Sequence, residues 1–216
     1  MKQTIRMGLA ALAFGLMACG EVDESDLGGQ VVGLIRDRDS GEQAPAQLSV
    51  TQEQLLSTRG QFLRVNIREL ERWDTMVQAG ENGARTTWID SARISLTLEE
   101  GIVVATRGLR RDLMGAETRA TAQAIRAGGG TAVRTHDFLD DQDQIVTMVL
   151  SCEIASQGAD AITRLGETIN ATRYEEQCVS DDLTLTNLYW VNNTRGIVRS
   201  LQAVSPDAGY VQVDVF

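Results

Sequence analysis

Apolar and polar residues alternate in several short stretches of this chain, and this period of two constrains the fold more than any other feature. Leu63, Val65 and Ile67 alternate with polar neighbours, and the same pattern recurs at residues 94–98 and 211–215. Successive side chains of a strand point to opposite faces of a sheet, so each stretch predicts a strand with one buried face. The sequence therefore predicts a mainly β chain.

Turn-forming residues lie between these stretches at the spacing of β-hairpins. They cluster at residues 81–83, 99–101, 140–143, 192–196 and 205–209 and include Asn, Asp, Gly or Pro in each case. These residues adopt tight-turn backbone conformations readily. We therefore expect an all-β antiparallel meander of about nine to eleven strands, folded as a curved sheet, a sandwich or a partly open barrel.

One segment departs from the period of two. Residues 116–127 are rich in Ala, with Glu117 near the start, Arg126 near the end and three glycines at 128–130. An acid at the N-terminus and a base at the C-terminus suit the helix dipole, and glycine commonly ends a helix. This segment predicts a helix within the β chain, and residues 47–57 predict a second, short and amphipathic one.

The N-terminus has the pattern of an exported bacterial lipoprotein. Lys2 and Arg6 precede an apolar run at residues 7–17, and small Ala18 precedes Cys19. The run is too short to remain as a transmembrane helix, and such a segment is a cleavable signal peptide. We predict that residues 1–18 are removed and that Cys19 is lipidated and holds the protein on a membrane.

The rest of the chain divides into two parts. Residues 19–46 mix acids with Gly and Pro and predict an acylated N-terminus and flexible tether. Residues 47–216 predict a single β-rich globular domain. Gly20, not Asp, follows the lipidated cysteine, which by the sorting rule of enteric bacteria favours an outer-membrane lipoprotein of the cell envelope. We expect its domain to face the periplasm.

Apart from Cys19, the chain has two cysteines, and the predicted export would place them in an oxidising compartment. Cys152 and Cys178 therefore predict a disulfide, between neighbouring strands in the second half of the chain. His136 is the one histidine and has no Cys or second His near it in sequence. We therefore expect no metal site and no cofactor.

The charge balance excludes some partners. The full chain carries a formal net charge of −10, and loss of Lys2 and Arg6 with the signal makes it more negative. Nucleic acid needs a basic face, so none is expected as a partner. Acidic charge also disfavours attachment to anionic lipid, which leaves the acyl anchor at Cys19 as the membrane contact.

No catalytic constellation is recognisable in the sequence. Glu99 and Glu100 are adjacent on a predicted strand, so they face opposite ways and do not form an acid and base pair. His136 and Asp137 lack an identifiable third member. We therefore predict that the protein is not an enzyme.

A ligand or partner surface is predicted more weakly. Tyr189 and Trp190 offer aromatic faces for sugar stacking, together with Trp73 and Trp88, although a β core uses the same residues as filler. Arg107 lies in a turn directly after a predicted strand. The candidate ligand-surface residues are therefore Arg107, Tyr189 and Trp190.

Several stretches, taken in order, resemble the GfcB/YjbF lipoproteins over residues 47–216. They are TW at 87–88, ISLTL at 94–98, GIVVATRGL at 101–109, DLM at 112–114, GGG at 128–130, HD at 136–137, the pair Cys152 and Cys178, NLYW at 187–190, VSP at 204–206 and GY at 209–210. The chain departs from that pattern at Leu188, Leu201 and Ala203, where Arg, Arg and Trp are more usual. The resemblance implies an outer-membrane lipoprotein of the machinery for group 4 capsule or related exopolysaccharide, with an all-β domain and no known catalytic activity.

Anchor, tether, disulfide and resemblance together predict a membrane-anchored, non-enzymatic accessory factor in capsule or exopolysaccharide production or secretion. Its partners would be the membrane, through Cys19, and export proteins or the polymer. Two alternatives stay open. One is a periplasmic carrier of a lipid or lipid-linked sugar, which needs an apolar pocket. The other is a polysaccharide-modifying enzyme, which needs two carboxyl groups about 5–10 Å apart in a cleft.

Overall fold

The described part of the chain consists mostly of antiparallel strands, as the period of two predicts. The computed structural model describes residues 60–181 and 183–216. The strands are β1 (Phe62–Ile67), β2 (Arg72–Asn82), β3 (Arg85–Ile89), β4 (Ser95–Glu99), β5 (Ile102–Arg107), β6 (Gly115–Glu117), β7 (Gly129–Leu139), β8 (Ile145–Ala159), β9 (Ile162–Arg164), β10 (Glu167–Ile169), β11 (Thr172–Val179), β12 (Thr184–Asn192), β13 (Gly196–Ser205) and β14 (Gly209–Val215). Helix α1 spans Arg119–Ala127, and a 3-10 turn spans Arg68–Leu70.

Twelve of these strands form one antiparallel sheet, in the order β5-β4-β3-β2-β1-β14-β13-β12-β11-β8-β7-β6. The five predicted turns join β2 to β3, β4 to β5, β7 to β8, β12 to β13 and β13 to β14, so the predicted meander is confirmed. The strand count exceeds the prediction because β6, β9 and β10 have three residues each. Strands that short do not show an alternating pattern in sequence.

The two edges of the sheet curl towards each other, which gives a nearly closed, barrel-like sheet. The Thr106 N–H at the β5 edge donates to the Leu113 carbonyl, just before β6, at 2.9 Å. Gln202, fully buried on β13, accepts from the Val103 N–H at 3.0 Å. These bonds satisfy backbone groups that an exposed edge strand would leave unpaired.

The inward residues of the strands form two apolar clusters. The first joins β1, β4 and β14 and includes Leu63, Val65 and Ile67, each at most 1% exposed. The second joins α1 to β7, β8, β11 and β12. A small third cluster lies under the β9–β10 hairpin. The alternation in sequence therefore marks the buried face of the sheet correctly.

Helix α1 begins at Arg119, three residues later than predicted. Ala116 lies instead in β6, where it pairs with His136 of β7. Pairing with β7 therefore outweighs the helix propensity of this alanine-rich stretch. The helix ends as predicted, at Gly128, whose φ of 90° is left-handed and whose N–H bonds back to the Ala124 and Ile125 carbonyls.

Several predictions lie outside the described residues. They are the signal at 1–18, lipidation of Cys19, the tether at 19–46 and the amphipathic segment at 47–57. Among the residues that the structure describes, no helix has the length and hydropathy needed to cross a membrane.

Two features favour glycine at position 101 in the β4–β5 turn: its backbone conformation and a close neighbour. Its φ is 83°, and a Cβ there would lie 2.8 Å from the Ile197 Cβ. We expect Gly101→Ala to lower the free energy of unfolding by more than the ~1–2 kcal/mol of the left-handed conformation alone. Gly83→Ala is the control, since Gly83 also has positive φ but no neighbour within 4 Å. Equal losses in urea denaturation would show that the Ile197 contact is unimportant.

Candidate functional site

An apolar cleft lies between the inner face of the first sheet half, helix α1 and the β12–β13 turn. Its volume is about 430 Å³. The lining residues are Leu63, Ala84, Thr86, Trp88, Leu98, Glu100, Gly101, Ala122, Ile125, Arg126, Val191, Arg195, Gly196, Ile197 and Val215. We call this region the apolar cleft. A mostly apolar concavity with a few polar groups is the usual form of a small-molecule site.

Charged side chains of the apolar cleft are paired with each other or with neighbours. Arg126 of α1 forms an ion pair with Glu100 of the β4–β5 turn. Arg195 bonds Glu167 at 3.1 Å. Among the described residues that line the cleft, Glu100 is the one carboxylate, so these residues do not supply the two carboxyl groups that glycoside hydrolysis ordinarily requires.

A buried polar network fixes the helix that forms one wall of this cleft. Glu176 of β11 accepts hydrogen bonds from the Thr121 hydroxyl at 2.7 Å, the Arg134 guanidinium at 2.8 Å, the Asn187 amide at 2.7 Å and the Tyr189 hydroxyl at 2.8 Å. All five residues are at most 1% exposed. The network joins α1 to β7, β11 and β12. It therefore holds in place the helix whose neighbouring residues line the cleft.

Protonation states within this network follow from burial. Burial, with the nearby Glu176 charge, raises the pKa of Tyr189 well above its ordinary value. The Tyr189 hydroxyl therefore stays protonated and donates to Glu176. Arg134 balances the Glu176 charge at hydrogen-bond distance, which is the arrangement that makes a buried charge tolerable.

Comparison with known proteins identifies the family. A family model described as group 4 capsule polysaccharide lipoprotein GfcB, YjbF, matches residues 32–216. The chain belongs to the YjbF family. The resemblance seen in the sequence is thereby confirmed, and membership associates the protein with the cell envelope and with capsule polysaccharide.

A solved structure supports the fold of this YjbF-family protein. The crystal structure of the hypothetical lipoprotein YmcC from Escherichia coli (K12) superimposes with a TM-score of 0.70 at 14% sequence identity. The match covers 89% of this chain and 96% of that one. A search among curated proteins finds no match. At this identity the YmcC structure supports the fold alone.

The predicted disulfide is present in this YjbF-family structure. Cys152 and Cys178 are joined and lie opposite each other on β8 and β11. Both are buried, and ligand atoms of these two residues and of Glu176 all lie within 4.8 Å of one another. The sulfurs are bonded to each other, so neither is a thiolate ligand.

The structure does not bring the three predicted ligand-surface residues together. The Arg107 guanidinium donates to the Leu113 carbonyl at 3.1 Å, which joins β5 to the segment before β6. Tyr189 is fully buried in the polar network. The Trp190 indole donates to Asp160 at 3.0 Å on the other face of β12. Ligand binding by Arg107 or Trp190 stays a prediction.

The other aromatic candidates also lie apart. Trp88 lines the apolar cleft, whereas Trp73 is 43% exposed and stacks with Arg64.

The three positions at which the sequence departs from the family pattern lie on strands β12 and β13. Leu188 lies opposite Leu201 across β12 and β13, and Ala203 pairs with Tyr210.

We expect His136 to make the stability of this YjbF-family protein depend on pH. Burial, and secondarily the Arg134 charge, lowers the pKa of His136 to about 3. Between about 3 and 6.5 the unfolded state binds more protons, so the unfolding free energy falls as the pH drops through this window. We expect a loss of up to ~1.4 kcal/mol per pH unit, measured by urea denaturation between pH 7 and 5. His136→Phe keeps a ring and should flatten the profile; an unchanged slope would exclude His136 as its origin.

Proposed function

We propose that this protein is a membrane-anchored, non-enzymatic accessory factor in the production or secretion of capsule or related exopolysaccharide. It is held by lipid on Cys19 at the outer membrane, faces the periplasm and contacts export proteins or the polymer. The observation that carries the proposal is the family match over residues 32–216.

The geometry supports a non-enzymatic role. Glu100 of the apolar cleft is in an ion pair, and Glu176 accepts four hydrogen bonds in the interior. Neither carboxylate has a second one placed to act with it on a glycosidic bond among the residues that line the cleft or form the network. The fold supplies a surface and a cleft for binding.

Two assays test this proposal. Deletion of the gene should lower the polymer on cells and in the medium, and the native chain should restore it. Full-length protein in detergent, incubated with polymer purified from the same strain, should leave the polymer length unchanged by size-exclusion chromatography. Unchanged polymer in the deletion strain would contradict the accessory role, and shortened polymer in vitro would contradict the non-enzymatic one.

A second candidate function is a carrier for a lipid or lipid-linked sugar, which the apolar cleft favours. Its volume of about 430 Å³ lies within the range of small-molecule sites. A fluorescent fatty acid should then bind, and Ala122→Phe, which fills the cleft from α1, should abolish binding. Gln123→Phe is the matched control, because Gln123 is exposed. Absence of any fluorescence change with the native protein would exclude the carrier.

A further inference from the structure

A second, smaller pocket lies away from the apolar cleft, between the inner face of β7 and β8 and the β13–β14 hairpin. Its volume is about 140 Å³. The lining residues are His136, Phe138, Met148, Leu183, Thr184, Leu185, Ala203, Ser205, Pro206, Gly209 and Tyr210. We call it the His136 pocket. It is smaller than the ~300–1,000 Å³ of sites for drug-sized ligands, so it suits a substituent rather than a whole oligosaccharide.

One polar group at this pocket has no hydrogen-bond partner among the described residues. His136 is 2% exposed, and its Nε2 is buried without a hydrogen-bond partner in the described part of the chain. Buried polar atoms are almost always satisfied by protein, by water or by a ligand. Because His136 lines the pocket, its unsatisfied nitrogen is a place for a small polar group.

One further side chain with hydrogen-bonding capacity lines the pocket. The Tyr210 hydroxyl accepts from the Thr186 N–H at 3.2 Å, which leaves its own proton to donate. Ser205 also lines the pocket, but its hydroxyl already donates to the Arg110 carbonyl at 3.4 Å and accepts from the Ala208 N–H at 2.9 Å. The remaining surface is mainly apolar, and its largest apolar side chains are Phe138, Met148, Leu183 and Leu185.

The pocket selects against charge. Among the described residues that line it, none is an acid, a lysine or an arginine. The nearest buried cation on the same strand, Arg134, is already paired with Glu176. The Arg111 guanidinium lies 5.7 Å from the Phe138 ring centroid and is paired with Asp207 at 3.8 Å. An ionised group such as a uronate carboxylate would therefore lose its hydration here without gaining an unpaired counter-charge, and that loss is costly.

We propose that the His136 pocket binds the acetamido group of an N-acetylated sugar. The methyl group packs against Phe138 and Met148, and the amide supplies both a donor and an acceptor, so it satisfies Nε2 in either tautomer of the histidine. The inference rests on the proposed function, because it takes the ligand to be part of a polysaccharide. It names which sugar substituent that polymer presents.

Methionine methyl groups provide a direct readout. Beyond residue 18 the chain has three methionines, of which Met148 lines the pocket and Met76 is in the core. Full-length protein in detergent, labelled with 13C at the methionine methyl groups, is titrated with N-acetylglucosamine, 6-O-acetylglucose and glucose. Met148→Leu assigns its resonance.

We expect N-acetylglucosamine to shift the Met148 resonance saturably, with Met76 unmoved and glucose without effect. His136→Phe should weaken binding about three- to tenfold, the effect of losing one hydrogen bond. Ala203→Leu should abolish it by filling the pocket. Val149→Ala is the control, since Val149 follows Met148 but is exposed on the outer face. Unchanged Met76 resonances verify that the variants fold.

Three outcomes would overturn the proposal. The first is a Met148 resonance that does not move, which would mean that the pocket holds water only. The second is an equal response to glucose. The third is a response to 6-O-acetylglucose alone, which would assign the pocket to an acetyl ester instead. Polymer loss in the deletion strain with an unmoved Met148 would refute this inference and leave the proposed function standing. A Met148 response with unchanged polymer in the deletion strain would refute the proposed function and leave the acetamido-binding pocket standing.

Discussion

Glu176→Ala will lower the free energy of unfolding by about 3–5 kcal/mol, because it leaves the buried Arg134 charge without its partner. Thr121, Asn187 and Tyr189 lose their common acceptor in the same step. Urea denaturation under oxidising conditions measures the effect. The loss should exceed that of an ordinary surface substitution several-fold.

Glu175→Ala is the matched control. Glu175 precedes Glu176 on β11, points to the other face and bonds the exposed Gln177 side chain. We expect its removal to change stability by less than about 0.5 kcal/mol. The double variant Arg134→Met with Glu176→Leu should be more stable than either single charge removal, because it leaves no unpaired charge. Equal stabilities of Glu176→Ala and Glu175→Ala would contradict the network's role.

Replacing both Cys152 and Cys178 with Ala will lower the free energy of unfolding by about 3–4 kcal/mol, as expected for a loop closed over a separation of 26 residues. Cross-linking restricts the unfolded chain, and its removal restores that chain's freedom. The single variant Cys152→Ser should also destabilise, since it leaves Cys178 unpaired in the core. Thermal unfolding in non-reducing buffer measures both.

A melting temperature equal to that of the native protein would contradict a stabilising disulfide. Reductant provides the control, because it should lower the stability of the native protein and leave the double alanine variant unchanged. The effects of Glu176→Ala and of disulfide removal should not be additive, since Glu176 lies within 4.8 Å of both cysteine ligand atoms.

The sheet was predictable because its alternation is local. Five residues are enough to identify the buried face of β1, which carries Leu63, Val65 and Ile67. Five clusters of turn residues locate the hairpins. The disulfide was predictable because the chain has two cysteines besides Cys19. The start of α1 was not, because β6 forms only by pairing with β7, which follows later in the chain.

The site was much less predictable. The apolar cleft gathers residues from several strands, a turn and α1, so it depends on the curvature of the sheet. Arg134 and His136 occupy inward positions of β7 between Ala132 and Phe138. Because both side chains are polar, β7 does not show the apolar alternation that would identify its buried face from sequence. The sequence did contain one indication that Tyr189 and Trp190 do not form a joint ligand surface. They are consecutive residues of a strand, and such residues face opposite sides of a sheet.

The measurement that tests the central claim most directly is the amount of polysaccharide on cells and in the medium of a deletion strain carrying either the native chain or Cys19→Ser. An anchored accessory factor predicts that the native chain restores the polymer and that Cys19→Ser, at equal abundance, does not. Equal restoration by both chains would contradict the need for the anchor. Unchanged polymer on deletion would contradict a role in polysaccharide production altogether.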